Sequence, residues 1–193
     1  MPARLSATDL ACRRGDRVLF RGLSLALGPG GLLHVTGANG IGKSSLLRIM
    51  AGLLSPYGGN VESDGAIGLV DERPALDPEL PLGKALGFWQ RIDGAHDQSA
   101  NLAAMGLSEL LDIPVRYLST GQRKRAALAR LLAQQVPIWL LDEPLNGLDT
   151  AAQAKVLELV GAHAANGGVT VIASHQPVAL AGLQTLALEE FAA

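Results

Sequence analysis

The sequence predicts an α/β fold: a mostly parallel sheet covered on both faces by helices, beside a small amino-terminal antiparallel sheet. Three observations carry this. Apolar runs at 32–36, 67–70, 136–141 and 169–173 alternate with helical patterns at 44–50, 121–134 and 151–163, the order that builds buried parallel strands. A glycine-rich stretch, 37–45, separates the first of these strands from its helix. Residues 76–117 carry no strand signal and read as a helical subdomain within one domain spanning residues 1–193.

In chain order, 18–20 and 23–27 read as short strands after the polar turn 13–17, and Gly28-Pro29-Gly30-Gly31 turns the chain into strand 32–36. Residues 54–65 read as turns, with Gly58-Gly59 and Asp64-Gly65. Helices are expected at 82–92, 99–105 and 108–112. Another is expected at 121–134, where Leu128, Leu131 and Leu132 share one side while Arg123, Lys124, Arg125 and Arg130 supply polar surface. A last short strand is expected at 186–188.

Composition sets limits on function. Hydrophobic residues are 48% of the chain and aromatics 4%, so aliphatic side chains must build the core. A net charge of −2 gives no broad electrostatic reason to bind nucleic acid. Cys12 is the single cysteine, which excludes an internal disulfide and suits a reducing compartment. No apolar run reaches the roughly 18 residues of a membrane span, and Asp9, Arg13, Arg14 and Asp16 stand where a secretion signal would be apolar. The chain is expected on the cytoplasmic side, meeting a membrane only through a partner.

Gly37-Ala38-Asn39-Gly40-Ile41-Gly42-Lys43-Ser44-Ser45 is a G-x-x-x-x-G-K-[ST] phosphate loop. Its glycines turn the backbone so that N–H groups converge, and the following helix adds its unpaired N–H groups and positive end. Lys43 brings a cation to the outer phosphates, and the Ser44 hydroxyl can ligate Mg²⁺. Strand 136–141 ends in Asp142 and Glu143. Asp142 is the expected Mg²⁺ partner, and Glu143 is placed to orient or deprotonate a water. His175 closes the next strand and is expected to contact the γ-phosphate, whereas His34, His96 and His163 read as core or surface histidines. Ser119-Thr120-Gly121-Gln122, at the start of helix 121–134, makes a second anion-binding nest that a generic phosphate-loop ATPase does not need.

Together these motifs resemble the ATP-binding subunit of ABC transporters: a P-loop NTPase with the ABC-type nucleotide-binding domain. Residues 119–122 resemble the family signature, with Thr120 where glycine is commoner; Asn146-Gly147-Leu148-Asp149 matches the loop carrying the family aspartate, and His175 the switch histidine. The resemblance implies ATP and Mg²⁺, and a pair of subunits sandwiching two nucleotides. Ser119, Gly121 and Gln122 of one copy would then complete the phosphate site of the other.

Two departures stand out. The family glutamine that follows the second core strand is missing from Asp71-Glu72-Arg73-Pro74; Arg73 is the nearest match and cannot ligate Mg²⁺. The family's adenine-stacking aromatic is replaced near Arg14, whose planar guanidinium could stack instead. At finer grain, Gln122-Arg123-Lys124-Arg125 and Trp139 before the acidic pair are similar to the haem-exporter ATP-binding subunits of bacterial cytochrome c maturation. That similarity implies an ATPase peripheral to the cytoplasmic face of the inner membrane, working with integral-membrane subunits and, indirectly, a periplasmic haem chaperone. The alternative is an ATPase subunit for another small substrate. A translation or repair factor of the same ATPase class commonly carries two cassettes or long insertions, which this length does not hold.

Overall fold

The computed structural model describes residues 2–94 and 98–193. It opens with a hairpin, β1 (Arg4–Arg14) and β2 (Arg17–Leu27), turned by Gly15 and Asp16. The two short strands expected at 18–20 and 23–27 are one long strand. The register shifts within the hairpin, and the backbone takes positive φ at Asp9 and Gly22. These irregularities break the apolar alternation without ending the pairing.

The stretch read as turns contains a further strand, β4 (Gly58–Asp64), antiparallel to β1. Its sequence, Gly-Gly-Asn-Val-Glu-Ser-Asp, offers one apolar residue, so only the pairing with β1 reveals it. At Gly59, φ is +76° and an added Cβ would sit 2.3 Å from the Thr8 carbonyl oxygen, leaving room for glycine alone. The sheet order is β2-β1-β4.

The main sheet holds β3 (Leu32–Thr36), β5 (Ile67–Val70), β6 (Ile138–Asp142), β7 (Val169–Ala173) and β8 (Leu183–Ala187) in the order β5-β6-β7-β3-β8, all neighbours parallel. The last strand starts three residues before the expected 186–188. Both faces are buried. Ile138 and Leu140 of β6 join Leu10, Phe20 and Leu46 beneath the antiparallel sheet and α1 (Lys43–Met50). Trp139 and Leu141 face the opposite core with Leu86, Leu131 and Val156. Each fully buried leucine there contributes about 2 kcal/mol, and no charge could sit mid-strand among them without a partner.

The helical subdomain comprises α2 (Leu82–Asp93), α3 (Ser99–Ala104) and single 3₁₀ turns at Ser108–Leu110 and Val115–Tyr117. The helix expected at 108–112 stops after one turn because its carbonyls go elsewhere. Leu111 O accepts from Gly83 N and Ile113 O from Leu82 N, capping α2, and Pro114 disfavours helix at the residue before it. His96 lies outside the described residues. No helix among the described residues is long and apolar enough to cross a membrane.

On α4 (Thr120–Gln134) the basic residues do not simply face water. Arg130 forks onto Asp93 at 2.8 and 3.0 Å and lies over the Trp89 ring. Arg125 donates to Met105 O, and Lys124 is 2% exposed. The expectation of polar surface fails because long side chains can bury their stems while their heads reach a carboxylate or carbonyl. The remaining helix, α5 (Thr150–Ala165), is capped by Asp149, whose carboxylate accepts the Ala152 N–H.

His34 is buried and His163 half-buried. His34 Nε2 meets Ser174 O at 3.2 Å; His163 Nε2 meets Pro137 O at 3.2 Å while its ring stacks on Trp139. Burial holds both below the ordinary histidine value of 6.5. The unfolded chain therefore binds protons first, and stability should fall as pH drops below about 6.5 towards the depressed folded values. Urea denaturation at pH 7.5 and 5.5 tests this: the midpoint should be lower at pH 5.5, and His163→Phe should flatten the difference.

Candidate active site

Strand β3 delivers Gly37 and α1 starts at Lys43, so the phosphate loop spans the carboxyl end of a central strand. Gly42 is the N-cap of α1, with φ +123° and no side-chain cap, and a Cβ there would press on Leu19 and Phe20 at 3.2–3.3 Å. The first helical N–H groups thus face the loop without a protein acceptor of the usual capping kind. Lys43, 6% exposed, curls back so that Nζ donates to Gly37 O at 2.7 Å and Ala38 O at 3.4 Å. A cleft of about 450 Å³ opens over it, lined by Arg14, Leu19, Asn39, Gly40, Gly42, Lys43, Ser44, Ser45, Glu72, Glu143, Asn146 and His175.

Two buried carboxylates end β6 under this cleft. Asp142 is 2% exposed and its Oδ1 has no hydrogen-bond partner. Burial pushes its carboxyl above the ordinary range, and the Ser44 hydroxyl, hydrogen-bonded to it, works against that. An unsatisfied carboxylate oxygen beside a hydroxyl is an oxygen donor pair that suits a hard divalent cation. Glu143 follows at φ +45°, a conformation that costs a non-glycine residue about 1–3 kcal/mol. The turn aims its carboxylate at Lys43, with Oε1 3.9 Å from Nζ.

The next strand supplies the groups that hold that carboxylate. His175 Nδ1 lies 2.9 Å from Glu143 Oε1, and the His175 backbone N–H donates to the same oxygen at 3.2 Å. Ser174 Oγ donates to Oε2 at 3.1 Å while accepting the Gln176 N–H. Beneath them His34 holds the Ser174 carbonyl. Sequence reasoning brought together Lys43, Ser44, Asp142, Glu143 and His175 and missed Ser174; a hydroxyl residue directly before a strand-end histidine was the available signal.

The profile of the ABC transporter family matches residues 20–146. The cytochrome c biogenesis ATP-binding export protein CcmA of Novosphingobium aromaticivorans is 62% identical, over 97% of this chain and 96% of its own length. The protein of the same description from Zymomonas mobilis is 50% identical over 99% of this chain and 87% of its own. The chain belongs to the CcmA family of ABC transporter ATP-binding proteins. Among solved structures, a metal-chelate type ABC transporter in an inward-facing conformation superposes with a TM-score of 0.80 at 28% identity, covering 99% of this chain and 82% of that one. An ABC transporter ATP-binding protein from Pyrococcus furiosus, at 21% identity and TM-score 0.82, shares the fold over 98% of this chain and 100% of its own.

Within this CcmA-family domain, Ser119, Gly121 and Gln122 do not line the cleft that holds Lys43 and Glu143. They begin α4 in a capping box: Ser119 Oγ accepts the Gln122 N–H at 3.1 Å, and Gln122 Oε1 accepts the Ser119 N–H at 2.7 Å. Gly121 packs so closely on the loop after Glu143 that a Cβ would lie 2.4 Å from Gly147 O. Arg73 is not at the cleft either. It lines the neighbouring groove with Trp89 and Arg130, while Glu72 takes the cleft wall. Position in the sequence pointed to Arg73 as the nearest match to the family glutamine; the chain path after β5 brings the residue before it to the nucleotide side.

Proposed function

We propose that this chain, one ATP-binding domain over residues 1–193 with its helical subdomain at 76–117, hydrolyses ATP as the peripheral subunit of an ABC transporter serving cytochrome c maturation. The observation that carries the reading is the Glu143 carboxylate, held by Ser174 and His175 and aimed at Lys43 inside the phosphate-loop cleft. In this reading residues 37–45 cradle the phosphates, Arg14 flanks the base, and Ser44 with Asp142 holds Mg²⁺. Bound there, Mg²⁺ would neutralise charge developing on the phosphoryl oxygens. Glu143 orients and deprotonates the attacking water, His175 positions that carboxylate and reaches the terminal phosphate, and Lys43 stabilises the transferring charge.

Ser119, Gly121 and Gln122 do not line the cleft that holds Lys43 within one chain, and they can act on a nucleotide only if a second copy supplies them. That favours a nucleotide-sandwich dimer with one signature loop over each cleft. The similarity to cytochrome c biogenesis ATP-binding export proteins supports integral-membrane partners at the cytoplasmic face of the inner membrane. Haem delivered to a periplasmic chaperone is the chemistry served, with ATP driving either its transport or the release of the loaded chaperone. Co-purification from membranes with ATP present, followed by identification of the partner chain and bound haem, tests the assignment. A different membrane partner would favour an ATPase for another small substrate; a nucleotide-bound chain that stays monomeric with its partners present would sink the dimer.

Ser119 separates its two roles by substitution. Ser119→Asp keeps an N-cap acceptor, so the melting temperature should stay near wild type, yet its charge would face the partner's phosphates and abolish hydrolysis. Ser119→Ala should cost about 1 kcal/mol of stability from the lost cap. Phosphate release and thermal melts on both variants provide the check, and unimpaired hydrolysis by S119D would remove the signature loop from the site.

A further inference from the structure

Lys124 is the buried cation of α4, five residues past the Ser119 cap and 2% exposed. Its ammonium donates to the main-chain carbonyl of Asp142 at 3.1 Å. Burial lowers the pKa of that amine, and the charges of Asp142, Glu72, Asp71 and Glu143 work against the shift. It also lines a cavity shared with Glu72, Arg73 and Thr120, so it stands between the nucleotide cleft and the start of the signature helix.

A lysine placed there is costly unless it is tied to something. Burial alone disfavours the charged amine, and a solvent-facing residue on α4 would avoid that cost. The carbonyl it binds belongs to the residue whose side chain would hold the metal, one position before the strained Glu143 backbone. The same helix is locked a second time to the β6–α5 loop, through Gly121 against Gly147. The signature helix and the carboxylate-bearing turn are therefore joined at two points, of which the Lys124–Asp142 contact is buried.

We propose that Lys124 is a positioning residue for ATP hydrolysis: it fixes the Asp142–Glu143 turn to the helix that presents Ser119, and acts as fixed counter-charge to the carboxylates gathered there. It touches no nucleotide. This rests on the hydrolytic reading above, with Glu143 as the base.

Removing the tether should loosen Glu143 while leaving the phosphate loop intact. A displacement of about 1 Å at a reacting group costs up to about 100-fold in rate. The expected result for Lys124→Met is a fall in kcat of about 10- to 100-fold, with ATP affinity, titrated by a fluorescent nucleotide, changed by less than about twofold. Lys124→Arg, which keeps the charge, should hold kcat within about threefold of wild type. Should the Met variant fail to fold, Lys124→Gln carries the same expectation, because its side chain gives up the charge and ends a bond short of the Asp142 carbonyl that the ammonium reaches at 3.1 Å. Glu143→Gln runs alongside as the control. Wild-type kcat in the Met or Gln variant beside an inactive E143Q would overturn the role of Lys124 and leave the site reading standing. Equal losses of affinity and kcat, with a lowered melting temperature, would also overturn it, as the mark of a merely structural lysine. Wild-type turnover by E143Q would overturn the site reading and this inference together.

Discussion

Glu143→Gln should bind ATP at least as tightly as the wild type and hydrolyse it about 10²- to 10⁴-fold more slowly, the range lost when a positioned general base is removed. The substitution is nearly isosteric, and the surroundings can accept an amide. One amide oxygen can take the His175 contacts at 2.9 and 3.2 Å, and the amide nitrogen can donate to Ser174 Oγ, which already accepts the Gln176 N–H. The turn should keep its shape. What disappears is a proton acceptor and a negative charge 3.9 Å from Lys43. Losing the charge removes repulsion against the triphosphate, so affinity should hold or rise. Losing the acceptor removes base catalysis. Fluorescent-nucleotide titration paired with phosphate release separates the two effects, and equal steady-state hydrolysis by E143Q and wild type would end the water-activating role.

The same variant bears on how the site is built. Glu143 combines an αL backbone, a buried carboxylate and three donors from two adjacent residues, Ser174 and His175. Such strain persists only where surrounding structure holds it. Here the Glu143 N–H still pairs with Ala173 O at 2.8 Å, so the strand hydrogen bonding continues into the turn and fixes its direction.

The parts of this site that could be read from sequence are those whose chemistry is written in consecutive residues. The phosphate loop carries its glycines, lysine and serine in one run, and β6 announces itself as an apolar run ending in two acids. The helices with strong periodicity fell within a few residues of expectation for the same reason. What stayed hidden depends on partners distant in the chain. The strand β4 has one apolar residue and exists through its pairing with β1. Lys124 reads as helix surface until the Asp142 carbonyl is brought over it, 18 residues on. Glu72 and Arg73 are neighbours with opposite charge, and only the path of the chain after β5 decides which faces the nucleotide side.

Lys43→Ala should have the largest effect on binding. The amine lies in the loop, donating to Gly37 O and Ala38 O, with Glu143 the nearest acid. Its removal acts twice. The attraction to the outer phosphates is lost, and the Glu143 carboxylate, 8% exposed, keeps its charge without the neighbouring cation. Truncating one member of a buried charge pair costs about 2–5 kcal/mol, so ATP affinity should fall by at least about 30-fold. The two contributions separate in a double-mutant cycle with Glu143→Gln. If unmasked repulsion dominates, the double variant should regain much of the lost affinity; if direct attraction dominates, it should bind as weakly as K43A. Equilibrium titration with a non-hydrolysable ATP analogue reads all four proteins without interference from turnover. Binding by K43A within about threefold of wild type would mean that the ammonium does not meet the phosphates at all.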